Sequence, residues 1–143
     1  MKSCLVLLMG LTAAGLAAAG PLDERKARTH LQAAAAGDVE TLMGDYAEDA
    51  WLDWVGGPLD GRYRGRPAIR AVWQAFAAQN DGMPRSLRVG RLEQHSHAQG
   101  TTLAVSAEYA GKTTVRVRHV LVYRDGELAT EIWQIAPTLK VDE

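Results

Sequence analysis

The chain has 143 residues, with 16 Lys and Arg against 17 Asp and Glu, four His and a single cysteine, Cys4. This balance leaves no surplus of clustered cations, which argues against nucleic acid as a partner, since counterion-release binding needs one. Lys2, the apolar run from Leu5 to Ala19 and the small residues Ala17, Ala18 and Ala19 read as a secretory signal over residues 1–19, so an exported protein, periplasmic or secreted, is expected to start near Gly20.

The run is shorter than the roughly 20 apolar residues a bilayer span needs, so no stable membrane anchor is expected. Removing 19 residues leaves 124, the size of one domain with one core. Cys4 and Lys2 leave with the signal. The remainder, residues 20–143, therefore has no cysteine for a disulfide, a thiolate or a Cys-based zinc site, and its formal charge is −2 from 15 basic and 17 acidic residues.

From Asp23 to Ala36 the apolar positions Ala27, Leu31, Ala34 and Ala35 recur three and four apart, which predicts a first helix ending at Gly37. Asp38 suits the cap of a second helix, with Val39, Leu42, Met43 and Tyr46 on one face. Ala50 to Val55, closed by Gly56-Gly57-Pro58, predicts a short strand. The basic stretch from Gly61 to Arg66 reads as a solvated loop. Pro67 opens a third helix with Ile69, Val72, Trp73 and Phe76 as its buried stripe.

Beyond Pro84 the period becomes two: Leu87 and Val89; Leu103 to Tyr109; Val115 to Tyr123; and Leu128 to Ile135 after the hairpin signal Asp125-Gly126. Helices followed by antiparallel strands give an α+β class, with helices covering the concave face of a curved sheet and a cone-shaped cavity between them.

The order of helix, Gly37-Asp38, helix, Tyr46-Ala47-Glu48-Asp49-Ala50, strand, Gly61 with Gly65, Ala68-Ile69-Arg70-Ala71-Val72-Trp73 and Tyr123-Arg124-Asp125-Gly126 resembles the SnoaL-like branch of the nuclear transport factor two superfamily. The resemblance spans about Asp23 to Ile135. It implies a cone-shaped α+β barrel in which a curved antiparallel sheet is closed on its concave face by three N-terminal helices. It also implies ligands held inside the cone and a homodimer through the outer sheet face. The family spans isomerases, dehydratases, hydrolases and cyclases, so fold does not choose the function. On the steroid isomerase pattern the aspartate base falls at Trp54, the tyrosine donor at His30 and the protonated aspartate at His119, and none of those identities is kept.

Candidate chemistry rests on four residues. His119 lies in an apolar stripe and serves either as an acid–base group or as a satisfied core imidazole. His30 on the first helix faces either the cavity mouth or solvent, and Asp53 reaches the cavity only if its strand is bulged. Glu131 depends on the hairpin register. A two-residue loop makes opposed residue numbers sum to 251 and sends Glu131 outward, whereas a three-residue loop makes them sum to 250 and sets Glu131 opposite His119. The second register is preferred.

Tyr46, Trp54, Trp73, Tyr109, Leu121, Tyr123 and Trp133 are expected to line an apolar pocket. His95-Ser96-His97 lacks a third ligand and reads as a hairpin end, so no metal is expected, and no motif calls for a cofactor. Three functions stay open: a binder of a small apolar or aromatic molecule, a cofactor-free acid–base enzyme using His119 with a carboxylate, and a dimeric association module with a filled cone. Val120 and Val122, on the face opposite His119, motivate the homodimer.

Overall fold

The structure is a computed structural model and describes residues 21–142; the predicted signal and Cys4 lie outside the described residues. Helix α1 (Pro21–Ala36) buries Ala27, Leu31, Ala33, Ala34 and Ala35. The chain turns at Gly37, where the amide of Asp38 donates to the Ala33 carbonyl at 2.9 Å, and enters α2 (Val39–Asp45). Asp38 caps α2 by accepting the Thr41 amide at 3.1 Å, as Ser, Thr, Asp and Asn do at helix starts.

Strand β1 (Tyr46–Val55) follows without a loop. Tyr46 therefore opens a strand instead of closing the second helix. Its tyrosine ring stays buried, so apolarity at position 46 satisfied both the helical and the strand period and could not decide between them. The predicted loop at Gly61 is also a strand, β2 (Gly61–Arg64), paired antiparallel with β1 from Trp54↔Gly61 to Trp51↔Arg64. Helix α3 (Arg66–Ala78) carries Pro67 in its first turn and buries Ile69, Val72, Trp73 and Phe76. Four more antiparallel-type strands and a final one complete the chain: β3 (Ser86–Val89), β4 (Glu93–His97), β5 (Gly100–Ala110), β6 (Thr114–Arg124) and β7 (Glu127–Ile135).

The seven strands form one curved, unclosed sheet in the order β2-β1-β7-β6-β5-β3, with β4 also paired to β5. It is mixed rather than wholly antiparallel, because β1 runs parallel to β7. The helices α1 and α3 cover the face that holds Leu52, Trp54, Tyr109, Val117, Leu121 and Trp133. Val120 and Val122 lie half-buried on the other face with Arg116 and Arg118.

Strand β7 follows neither predicted register throughout. Arg124↔Glu127 and Tyr123↔Leu128 fit the two-residue loop, but Val122 pairs with Thr130 and Leu121 with Glu131. Ala129 is the extra residue of a bulge. Without it, Glu131 would lie opposite Val120 and face outward; with it, Leu128 and Glu131 both face inward, three residues apart. One inserted residue thus reverses which side chains enter the core. In β1 the offset is larger, since Tyr46↔Leu128 and Trp51↔Thr130 set five residues against two.

Close backbone approach favours Gly100 where β4 turns into β5: a Cβ there would sit 2.3 Å from the Tyr123 carbonyl oxygen, so the backbone must shift to admit one. Gly44, inside α2, has nothing within 4 Å of such a Cβ. Gly100→Ala is therefore expected to lower unfolding free energy by about 1–3 kcal/mol. Gly44→Ala is expected to raise it by about 0.5–1 kcal/mol through helix propensity and a less flexible unfolded chain. Urea denaturation of both variants gives opposite signs if the backbone is placed as described.

Candidate functional site

Beneath α1 and α3 a polar cluster is enclosed by aromatic rings. The bulge turns Glu131 inward, and its carboxylate is fully buried. Oε2 accepts from His30 Nε2 at 3.0 Å, the imidazole being delivered by α1, and from the Tyr46 hydroxyl at the start of β1. The Tyr46 oxygen in turn accepts from the Trp73 indole of α3 at 3.0 Å. Oε1 faces His119 Nδ1 at 3.6 Å, too far for a hydrogen bond, and no other donor reaches it.

The cluster continues outward through His30. Its Nδ1 lies 3.3 Å from Asp45 Oδ2, close enough for an ion pair but off the line of a hydrogen bond. Asp45 also accepts from the Tyr123 hydroxyl at 2.6 Å and meets the Lys26 ammonium at 3.4 Å. A line of groups therefore runs from half-exposed Lys26 through Asp45 and His30 to Glu131. A cavity of about 260 Å³ between α1 and α2 opens onto Lys26, His30 and Asp45.

Electrostatics follow from this geometry. Burial alone would drive proton loss from His30, but the charge of Glu131, the hydrogen bond to it and the nearby Asp45 carboxylate outweigh it and hold the imidazole at about 10. Burial would push Glu131 up, yet His30 and His119 hold it well below the usual carboxylate range. Asp45 is likewise held low, against its own burial, by His30, Tyr123 and Lys26. His119 is lowered, chiefly by burial, and stays neutral. The tautomer that suits both neighbours carries its proton on Nδ1 toward Glu131 and accepts the Tyr109 hydroxyl on Nε2, 3.0 Å away. Burial and the charge of Glu131 keep the Tyr109 phenol protonated far above its usual value.

Carboxylate, imidazole and phenol in a row can relay a proton. Here they are sealed. Trp133 is the centre of the seal: its ring stacks on Trp54 at 4.5 Å and meets Trp73, Phe76, Tyr109 and His119 at 4.7–5.1 Å. The indole nitrogens of Trp54 and Trp133 are buried without a hydrogen-bond partner.

The structure thus brings His30, His119 and Glu131 together and leaves Asp53 out. Asp53 lies on the other face of β1, ion-paired with Arg62 at 3.1 Å, because β1 alternates regularly from Ala50 to Trp54. Of the seven residues expected to line a pocket, Tyr46, Trp73, Tyr109, Leu121, Tyr123 and Trp133 are buried in the core and fill the cone. Trp54 reaches a cavity of about 420 Å³ at the end of the sheet where β1 and β7 finish and β6 begins. Pro58, Leu59, Phe76, Val115 and Ile135 supply its other apolar walls, and Gln79 and Thr113 its polar atoms. His95 and His97 are exposed on β4, and among the described residues no group of three acidic, His or Cys side chains is arranged to hold a metal.

Sequence reasoning missed Asp45 and the buried Arg85. The Arg85 guanidinium lies 3.9 Å from the Phe76 ring centre and donates to the Phe76 carbonyl at 3.0 Å. Neither carries a local signal, since each is defined by a partner far along the chain or by the end of a helix.

The cluster sets a pH window. A lowered carboxylate contributes stability above its ordinary value of 4.5 that is lost as pH falls, and neutral His119 adds to that loss below 6.5. The raised His30 contributes stability below 6.5 that is lost as pH rises toward about 10. The cluster's contribution therefore peaks near 6.5. Glu131→Gln, which leaves the imidazoles facing a neutral amide, is expected to cost about 3 kcal/mol and to flatten the alkaline limb, read by thermal unfolding across pH.

Residues 27–131 match the SnoaL-like domain family. The sequence matches no curated relative. Solved structures share its architecture at low identity. An NTF-2 like protein of unknown function from Burkholderia xenovorans LB400 is 18% identical over 83% of this chain and 86% of that one, with TM-score 0.63. A protein with a cystatin-like fold from Methylobium petroleophilum PM1 is 13% identical over 83% and 78%, with TM-score 0.66. A protein of Sinorhizobium meliloti named as a candidate polyketide cyclase is 18% identical over 77% and 94%, with TM-score 0.53. With the family matched over most of the described residues and the fold repeated in these structures, the chain belongs to the SnoaL-like domain family.

Proposed function

We propose that this is an exported domain that binds a small apolar or aromatic molecule at the end of its cone, in the cavity walled by Trp54, Leu59, Phe76, Val115 and Ile135. The observation that carries the reading is the contrast between two regions. The depth of the cone is packed with Trp133 and its neighbours around an ionised carboxylate, whereas the end is open, of ligand size, and apolar with two polar residues at its rim. A ligand there would touch Trp54 and Phe76 without disturbing Glu131.

An acid–base enzyme is the second reading, favoured by one feature: the Glu131–His119–Tyr109 row lies against Trp133, whose ring is also stacked on the Trp54 wall of the cavity. It requires the two stacked indoles to part. The homodimer is proposed on the outer sheet face, where Val120 and Val122 sit half-buried beside one another.

The binding reading is tested with the uncharged dye N-phenyl-1-naphthylamine, whose emission rises in apolar surroundings. Val115→Arg is expected to weaken dye binding at least tenfold by placing a charge in the cavity. Val120→Arg, on the outer face of the same strand, is expected to leave dye binding intact while giving a monomer by light scattering. Equal binding by wild type and Val115→Arg contradicts the proposed cavity. For export, the intact mass of protein recovered outside the cytoplasm should correspond to a start near Gly20; a mass that still includes residues 1–19 contradicts it.

A further inference from the structure

The apolar cavity has a second lobe. Pro58, Val115 and Ile135 also wall an adjoining space of about 370 Å³ whose remaining lining is Gly57, Thr114, Arg116 and Pro137. The two lobes adjoin at Ile135, against which the chain packs closely: a Cβ on Gly57 would press to 2.9 Å from Ile135 Cδ1. Gly57 also takes a φ of +72°, a conformation a side chain would disfavour. One lobe is apolar and aromatic; the other holds a guanidinium.

Arg116 is incompletely neutralised. Its Nε donates to Glu108 Oε2 at 2.8 Å and its Nη1 to the Pro137 carbonyl at 3.2 Å. The same Glu108 oxygen also accepts from Arg88 Nη2 at 3.3 Å, so two guanidiniums share one carboxylate. Both of these bonds leave Nη2 of Arg116 unassigned among the described residues, on a side chain that is 40% exposed. A planar cation with spare donors at one end of an apolar trough matches the two halves of an amphipathic acid.

Resting on the binding reading above, we propose that the groove takes an elongated apolar monocarboxylate, its hydrocarbon or aromatic body against Trp54, Phe76 and Leu59 and its carboxylate at Arg116. The body supplies most of the affinity and the guanidinium supplies the choice of head group. Because Arg116 is part-exposed and already shared with Glu108, that choice is modest, a few-fold rather than a thousand-fold.

Displacement of N-phenyl-1-naphthylamine by decanoate, decanol and decyltrimethylammonium distinguishes the heads on one chain length. Decanoate is expected to bind about three- to tenfold tighter than decanol, and the cation weakest. In Arg116→Gln the ratio of decanoate to decanol affinity should fall to about one. In the wild-type protein the same ratio should shrink when salt is raised to about 0.5 M, a readout that needs no variant. Equal binding of acid and alcohol, tighter binding of the cation, or a preference that persists in Arg116→Gln or at high salt overturns the carboxylate assignment while leaving the cavity reading in place. Failure of the dye and all three probes to bind overturns both.

Discussion

A single buried carboxylate organises this domain. Glu131 carries its charge where no solvent reaches it, and an unpaired charge at such depth would cost several kcal/mol. The fold answers with donors from separate elements: His30 of α1, Tyr46 at the junction of α2 and β1 with Trp73 of α3 behind it, and His119 of β6 facing the remaining oxygen. Each donor has the right geometry only if its element sits in place, so the charge couples the helices to the sheet. Buried ion pairs seldom exceed a well-packed apolar core in net stability. Their contribution here is to arrangement: any shift of β7 by one residue exposes the acid and buries its outward neighbours.

The same residue marks the boundary of what the sequence reveals. Helix α3 was legible because Pro67 and an apolar stripe at 3.6 spacing agree, and β5 and β6 because their alternation is long. Strand β2 was hidden by its length and by three arginines in six residues, and the first half of β1 by the absence of any loop after α2. The parallel pairing of β1 with β7 joins segments some 80 residues apart and leaves no local trace. For Glu131, inward placement beside His119 was reached from a three-residue loop, whereas the chain uses a two-residue loop and a bulge at Ala129. The longer loop would move the register by one residue in one direction and the bulge moves it by one in the other, so Glu131 pairs with Leu121 instead of His119 yet keeps the same facing; alanine gives the bulge no signature. Asp45 and the second face of His30 required the three-dimensional partner.

Filling decides how the fold is used. In an open cone the Glu131–His119–Tyr109 row would meet a substrate. Here Trp133 lies against four other aromatic rings and the His119 imidazole, so the row is closed inside the core, and the apolar cavity lies at the end of the sheet beyond Trp54. How large the side chains on three strands and one helix are therefore decides whether the architecture keeps open space at its depth or only at its end.

The account stands on the ionisation of Glu131 inside a closed core. Its most direct test is the carboxyl carbon shift of Glu131, assigned by comparison with Glu131→Gln and followed by NMR as pH is lowered through the ordinary glutamate value of 4.5. The account predicts a carboxylate shift that holds through that value while the exposed glutamates titrate. A Glu131 signal that titrates with them, or that shows the protonated acid at neutral pH, would contradict it.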